Sequence, residues 1–293
     1  CLSMIFEVIY MKIDFSSANK FGLIGCPLGH SMSYVIHKEL FRLSNVDADY
    51  KLMEIEPDRL ESEFKENLSK LRGFNVTIPH KINIIPFLDG LSTKAELFGS
   101  VNTVDIKNGK TVGHNTDCAG FLRALEMADI TLGGKTLLLG SGGVARMIAF
   151  EAILADADLT IAVREADIPA AETIKQEIWD KLGKPCRVIL LADAEEGYDL
   201  VINGTPVGMF PNVDACPVSE NVVKSAGAVF DVIYNPIETK FIKYAKEAGL
   251  KCSGGLSMLV WQAAVAEEIW NDVKFSYDNI NEVIEITQKE LEK

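Results

Sequence analysis

The stretch Lys135-Thr136-Leu137-Leu138-Leu139-Gly140-Ser141-Gly142-Gly143-Val144-Ala145-Arg146 decides the fold. Its first half is an apolar run of strand length, and its second is a glycine-rich turn that opens a helix rich in alanine and isoleucine. A strand followed by a glycine turn and a helix is the arrangement that binds dinucleotides. The glycines allow a tight turn and close backbone approach, while the helix start offers free N–H groups and a positive dipole end to a pyrophosphate. Gly140, Ser141, Gly142, Gly143 and Val144 are therefore candidate cofactor residues. A glycine turn alone also fits a plain connection, so the flanking elements carry the weight. Further strands are expected over 159–163, 187–191, 200–203 and 229–233.

The end of the second strand of this unit selects the cofactor, because an acid there binds the adenosine ribose and an arginine accommodates a 2′-phosphate. The sequence reads Val163-Arg164-Glu165. Arg164 favours NADP by charge and by its flat guanidinium, while Glu165 and Asp167 oppose a phosphate and keep NAD open. Thr205 and Pro206 follow the fourth strand, and Val232 lies at the end of the fifth. Ligands collect at the carboxyl ends of strands in open α/β sheets, so these three are expected along the nicotinamide.

Upstream, apolar runs at 21–25, 50–55 and 74–78 alternate with helical patterns at 33–43, 57–68, 81–88 and 92–98, which predicts a second α/β unit. Runs at 101–106 and 110–113 flank Asn108-Gly109, a hairpin turn that delivers His114-Asn115-Thr116-Asp117 to a new helix. Within Gly73-Phe74-Asn75-Val76-Thr77-Ile78-Pro79-His80-Lys81, alternation sends Phe74, Val76 and Ile78 to a core, with Asn75 and Thr77 roughly 7 Å apart on the other face. Pro79 suits a first helical turn and fixes Lys81 at the rim beside them, the layout of a small-molecule site.

With 293 residues, 48% hydrophobic and 24% charged, the chain can bury a large core in one or two domains. A net charge of −13 gives no broad support to a nucleic-acid or anionic-membrane partner. The six cysteines contain no Cys-x-x-Cys pair and the four histidines no metal-ligand spacing, so reduced thiols, a cytoplasmic location and no metal are expected. The apolar run over 4–11 is interrupted by Glu7, is too short to span a bilayer and lacks the basic start of a signal peptide. Residues 1–20 are given no function.

Taken together, these residues resemble the shikimate dehydrogenase family over about 21–270. The motifs are Gly29-His30-Ser31-Met32-Ser33, Asn75-Val76-Thr77-Ile78-Pro79-His80-Lys81, Val101-Asn102-Thr103, Asn115-Thr116-Asp117, Asn203-Gly204-Thr205-Pro206-Val207-Gly208-Met209, Tyr234-Asn235-Pro236 and Gly255-Leu256-Ser257-Met258-Leu259-Val260-Trp261-Gln262. Each is ordinary alone, but their order and spacing together are specific. The resemblance implies reduction of 3-dehydroshikimate with a nicotinamide cofactor, with Lys81 and Asp117 as the catalytic pair. It also implies Ser31 and Ser33 on the substrate carboxylate, and Asn75, Thr77, Asn102, Tyr234 and Gln262 around the rest of the substrate. Gly255 joins the cofactor set.

This chain has Tyr34 where the family usually has proline, and Val232 where it often has methionine. The expected architecture is α/β with two domains, an N-terminal α/β substrate domain (1–117 plus 256–293) and a Rossmann-like nucleotide-binding domain (118–255). Helices over 118–127 and 256–270 would hinge a cleft whose closure excludes water. The expected assembly is a monomer or homodimer. An NAD-dependent quinate/shikimate dehydrogenase and a non-catalytic sensing module on the same fold stay open.

Overall fold

The computed structural model describes residues 19–29 and 31–293. The leading segment 1–18, with its apolar run, and His30 of the first motif lie outside the described residues.

Two six-stranded sheets organise the chain. The first contains β1 (Asn19–Gly25), β2 (Ala48–Glu54), β3 (Gly73–Val76), β4 (Gly90–Leu91), β5 (Thr103–Lys107) and β6 (Lys110–His114), in the order β2-β1-β3-β5-β6-β4. β2, β1 and β3 are parallel, whereas β5 runs antiparallel to β3 and β6. Asn108 and Gly109 both take the left-handed conformation, with φ 54° and 73°, which matches the twist of the hairpin they close. Helices α1 (Ser33–Ser44), α2 (Leu60–Glu66), α3 (His80–Asn83) and α4 (Thr93–Phe98) connect these strands. Ser92 caps α4 by accepting from the Ala95 N–H.

The second sheet is wholly parallel and contains β7 (Lys135–Leu139), β8 (Asp158–Val163), β9 (Arg187–Leu190), β10 (Leu200–Asn203), β11 (Ala228–Asp231) and β12 (Lys251–Ser253). Its order, β12-β11-β10-β7-β8-β9, is the doubly wound one, with the switch point between β7 and β10. Leu137, Leu138 and Leu139 are fully buried, as a strand covered on both faces requires. Around it lie α6 (Gly143–Leu154), α7 (Ile168–Leu182), α8 (Glu220–Lys224) and α9 (Lys240–Glu247).

Two helices, α5 (Asp117–Met127) and α10 (Gly255–Asn271), link the halves, and α11 (Tyr277–Leu291) closes the chain. Ile36 of α1, Phe121 of α5, Phe150 of α6, Trp261 of α10 and Ile280 of α11 share one core. Burying side chains of this size stabilises by about 1.5–3 kcal/mol each. α5 and α10 cross at Gly120, where a Cβ would lie 2.8 Å from both Gln262 N and Met258 O. Only a glycine lets the two backbones come this close.

Several expected boundaries move. β3 stops at Val76, so the alternation ends before Ile78, which is 73% exposed rather than in the core. The helix expected over 81–88 is two pieces, α3 and a 3-10 turn over Ile85–Phe87, because Pro86 has no N–H to continue it. Pro79 precedes α3 rather than lying in its first turn. The helix expected from 57 begins as a 3-10 turn, Pro57–Arg59. β12 was not anticipated.

Candidate active site

A cavity of about 590 Å³ opens between the carboxyl ends of the two sheets. Ser31, Ser33, Asn75, Thr77, Lys81, Asn102 and Asp117 line it from the first half, and Gly143, Val144, Val232, Tyr234 and Gly255 from the second. Gln262 reaches it from α10.

Lys81 reaches the cavity because β3 ends and α3 begins just before it, and Asp117 because the hairpin β5–β6 delivers it as the first residue of α5. Lys81 Nζ donates to Asp117 Oδ2 at 2.7 Å. The other carboxylate oxygen, Oδ1, accepts from Asn102 Nδ2 at 2.8 Å. Asn102 is oriented in turn by Thr116, whose N–H donates to Asn102 Oδ1 at 2.7 Å. Asn75 Nδ2 donates to Thr103 Oγ1 at 3.0 Å, and Tyr50 donates its hydroxyl to Asn75 Oδ1 at 2.7 Å. An ammonium has three donors, so two remain on Lys81 for a ligand oxygen. Gln262 Nε2 donates to Leu259 O at 3.0 Å while the side chain still lines the cavity, so it is not the plain surface residue its helix suggested. Cys118 follows Asp117, yet burial pushes its thiol up to about 12, which removes it as a nucleophile.

On the opposite wall, α6 starts at Gly143 with no side-chain cap. A Cβ on Gly142 or Gly143 would meet nothing within 4 Å, so there is open space at the uncapped helix start, and a diphosphate fits it. Gly140 holds φ 99°, and a Cβ there would press on Thr205 Cγ2 at 2.8 Å. Gly140, Ser141, Gly142, Arg164, Thr205 and Pro206 do not line the cavity itself; they follow the carboxyl ends of β7, β8 and β10 beyond it. The Arg164 side chain is 73% exposed, and its Nε donates to Asp167 Oδ2 at 2.7 Å.

Buried Asp231 ties these loops together. It accepts from Thr239 Oγ1 at 2.6 Å, Asn203 Nδ2 at 3.0 Å and Ile233 N at 3.1 Å, while Asn203 Oδ1 accepts from Thr205 Oγ1 at 2.7 Å. Burial raises its carboxyl to about 6 against those hydrogen bonds. Burial also raises the Tyr234 phenol. Tyr50, Thr103, Thr116, Asn203 and Asp231 were not among the expected site residues. Thr103, Thr116 and Asn203 lie inside the quoted motifs, which was the available signal; Tyr50 and Asp231 read as ordinary strand residues.

Among the described residues, no group of histidine, cysteine and carboxylate side chains could hold a metal, and no helix is long and apolar enough to cross a membrane.

The class that such a molecule defines is the two-domain oxidoreductase that takes a nicotinamide dinucleotide on one sheet and an alcohol on the other. A sequence profile of the shikimate dehydrogenase substrate binding domain matches residues 23–104. Shikimate dehydrogenase (NADP(+)) of Caldanaerobacter subterraneus subsp. tengcongensis is 39% identical over 278 residues, covering 94% of this chain and 99% of the relative. The Methanococcus maripaludis (strain S2) protein of the same description is 41% identical over 258 residues, covering 86% and 92%. The crystal structure of shikimate 5-dehydrogenase from Listeria monocytogenes in complex with shikimate and NAD superposes with a TM-score of 0.84 at 32% identity, covering 93% of this chain and 98% of that one. The chain belongs to the shikimate dehydrogenase family.

Proposed function

We propose that this protein is an NADP-dependent shikimate dehydrogenase, reversibly reducing 3-dehydroshikimate to shikimate for chorismate and aromatic amino-acid biosynthesis in the cytoplasm, as a monomer or homodimer. The observation that carries this reading is the Lys81–Asp117 contact at 2.7 Å, set in a cavity lined from both sheets. Of the described residues, those up to 117 together with 256–293 form the substrate domain and 118–255 the cofactor domain.

When bound, NADP supplies or accepts the hydride. In the reducing direction Lys81 Nζ hands a proton to the substrate oxygen as its charge develops, and Asp117 keeps the ammonium in place. Asn102 holds the carboxylate from behind, so the pair is oriented before substrate arrives. Ser31 and Ser33 take the substrate carboxylate at the start of α1, and Asn75, Thr77, Asn102, Tyr234 and Gln262 take the ring hydroxyls. Gly140, Ser141, Gly142, Gly143 and Val144 hold the diphosphate. Arg164 takes the 2′-phosphate, and Thr205, Pro206, Val232 and Gly255 border the nicotinamide. Closure of the cleft would exclude water and strengthen each of these electrostatic contacts.

Reduced-nicotinamide absorbance in four mixtures, shikimate or quinate with NADP or NAD, tests the reading. Turnover of shikimate with NADP ahead of the other three is expected. Silence in all four mixtures would overturn the assignment, and quinate with NAD leading would move it to the catabolic relative.

A further inference from the structure

Tyr50 stands one layer behind the substrate wall, and nothing in the chemistry above uses it. It lies on β2 and is 4% exposed, with its hydroxyl donating to Asn75 Oδ1 at 2.7 Å. Asn75, itself buried, donates through Nδ2 to Thr103 Oγ1 at 3.0 Å and to Asn102 O at 3.3 Å. Counting valences, both carboxamide protons and one oxygen lone pair are committed. What remains to a ligand is the second lone pair of Oδ1.

The phenol is held from its other side as well. Its ring lies flat on His37, with centroids 4.1 Å apart and planes 12° from parallel. His37 Nδ1 meets Glu267 Oε1 at 2.6 Å, both groups fully buried, and Asn271 Nδ2 donates to Glu267 Oε2 at 2.7 Å. Burial first, then the charge of Glu267, holds the Tyr50 hydroxyl well above its ordinary range, against an opposing hydrogen bond from Ser33. The phenol therefore stays protonated, and because Asn75 Nδ2 faces the acceptor-only Asn102 carbonyl, Oδ1 is the atom that meets Tyr50 and the phenol donates to it. Ser33 and His37 share one face of α1, four residues apart, so the same helix that offers a serine to the cavity carries the plate on which Tyr50 rests.

We propose that Tyr50 is a positioning residue that locks the Asn75 carboxamide as a hydrogen-bond acceptor, so that the ligand group meeting Asn75 must be a hydroxyl rather than a carbonyl or ether oxygen. The inference rests on the reading of the cavity as a polyol site. It turns a contact that could have served either polarity into one that selects for a donor.

Tyr50→Phe keeps the ring and its stack and removes only the hydroxyl. The expected result is a KM for shikimate raised about tenfold, with kcat changed less than about threefold, because a buried acceptor has lost its partner. In an Asn75→Ala background, Tyr50→Phe has no further effect on KM. Independently of any substrate, nitrogen-15 NMR should show the Asn75 side-chain amide protons exchanging with water about tenfold faster in Tyr50→Phe than in the unaltered protein. Unchanged KM with unchanged exchange overturns the proposal, as does a fall in kcat alone. If the unaltered protein ignores shikimate while amide exchange still responds to Tyr50→Phe, the substrate assignment fails and the positioning role stands.

Discussion

On the wall built by the first sheet, Asn75, Asn102, Thr103, Thr116, Asp117 and Lys81 satisfy one another through side-chain hydrogen bonds. On the wall built by the second, the ligand space is shaped by backbone, with Gly142 and Gly143 leaving room that any side chain would fill. One wall stores its information in which side chains are present, the other in which are missing. Altering a member of the first network leaves a buried polar partner unpaired, at about 1–3 kcal/mol each. Altering the second costs the folded protein little and the ligand much.

The largest expected effect falls on the side-chain wall. Lys81→Ala should lower kcat about 10²–10⁴-fold with little change in KM for shikimate, measured by steady-state kinetics. An equal loss in binding would make Lys81 a holding group and blur the contrast. Next comes Gly142→Val. Its backbone, at φ −72°, accepts valine and a Cβ there meets no atom within 4 Å, so Tm should stay within about 2 °C of the unaltered protein. KM for NADP should rise about tenfold or more as the added methyls occupy the diphosphate space. A large fall in Tm instead would show that this turn, too, is held by packing.

Arg164→Ala should raise KM for NADP about threefold to tenfold and leave NAD unaffected, a modest effect because the guanidinium is exposed and already shared with Asp167. Unaltered NADP kinetics would place the phosphate elsewhere.

The smallest effect concerns Asp231, a side-chain network on the backbone wall. Its carboxyl is raised from 3.8 to about 6, so between those values the folded protein holds a proton that the unfolded chain has released. Stability from this group therefore grows as pH falls through the window, and above it the cost of the buried charge is present in full. Asp231→Asn should remove that slope. Thermal unfolding at pH 4.5 and 7 checks this: the gap between protein and variant should change with pH in that sense, and a constant gap would show a carboxyl that titrates normally.

The second sheet was largely legible because strands buried on both faces are simple apolar runs, as Leu137, Leu138 and Leu139 are, and because the glycine turn stands between such a run and a helix. β12 was not, since Lys251, Cys252 and Ser253 carry no apolar alternation. Ile78 was misplaced because periodicity cannot say where hydrogen bonding along a strand stops. Lys81 and Asp117 could be nominated from their places after a strand and at a helix start, but their meeting depends on a turn between distant segments. Tyr50 was hidden because an aromatic in a strand looks like core, and only its hydroxyl partner reveals otherwise.

The bare contact at Gly120 has a consequence for how damage would spread. Asp117 lies one turn before it on α5, and Gln262 faces it on α10. A methyl inserted there would act as a wedge between two rods, and the strain would be relieved by sliding α5 along its axis. Such a lesion would surface as a misaligned carboxylate together with a lowered melting temperature, since both clashing atoms are backbone.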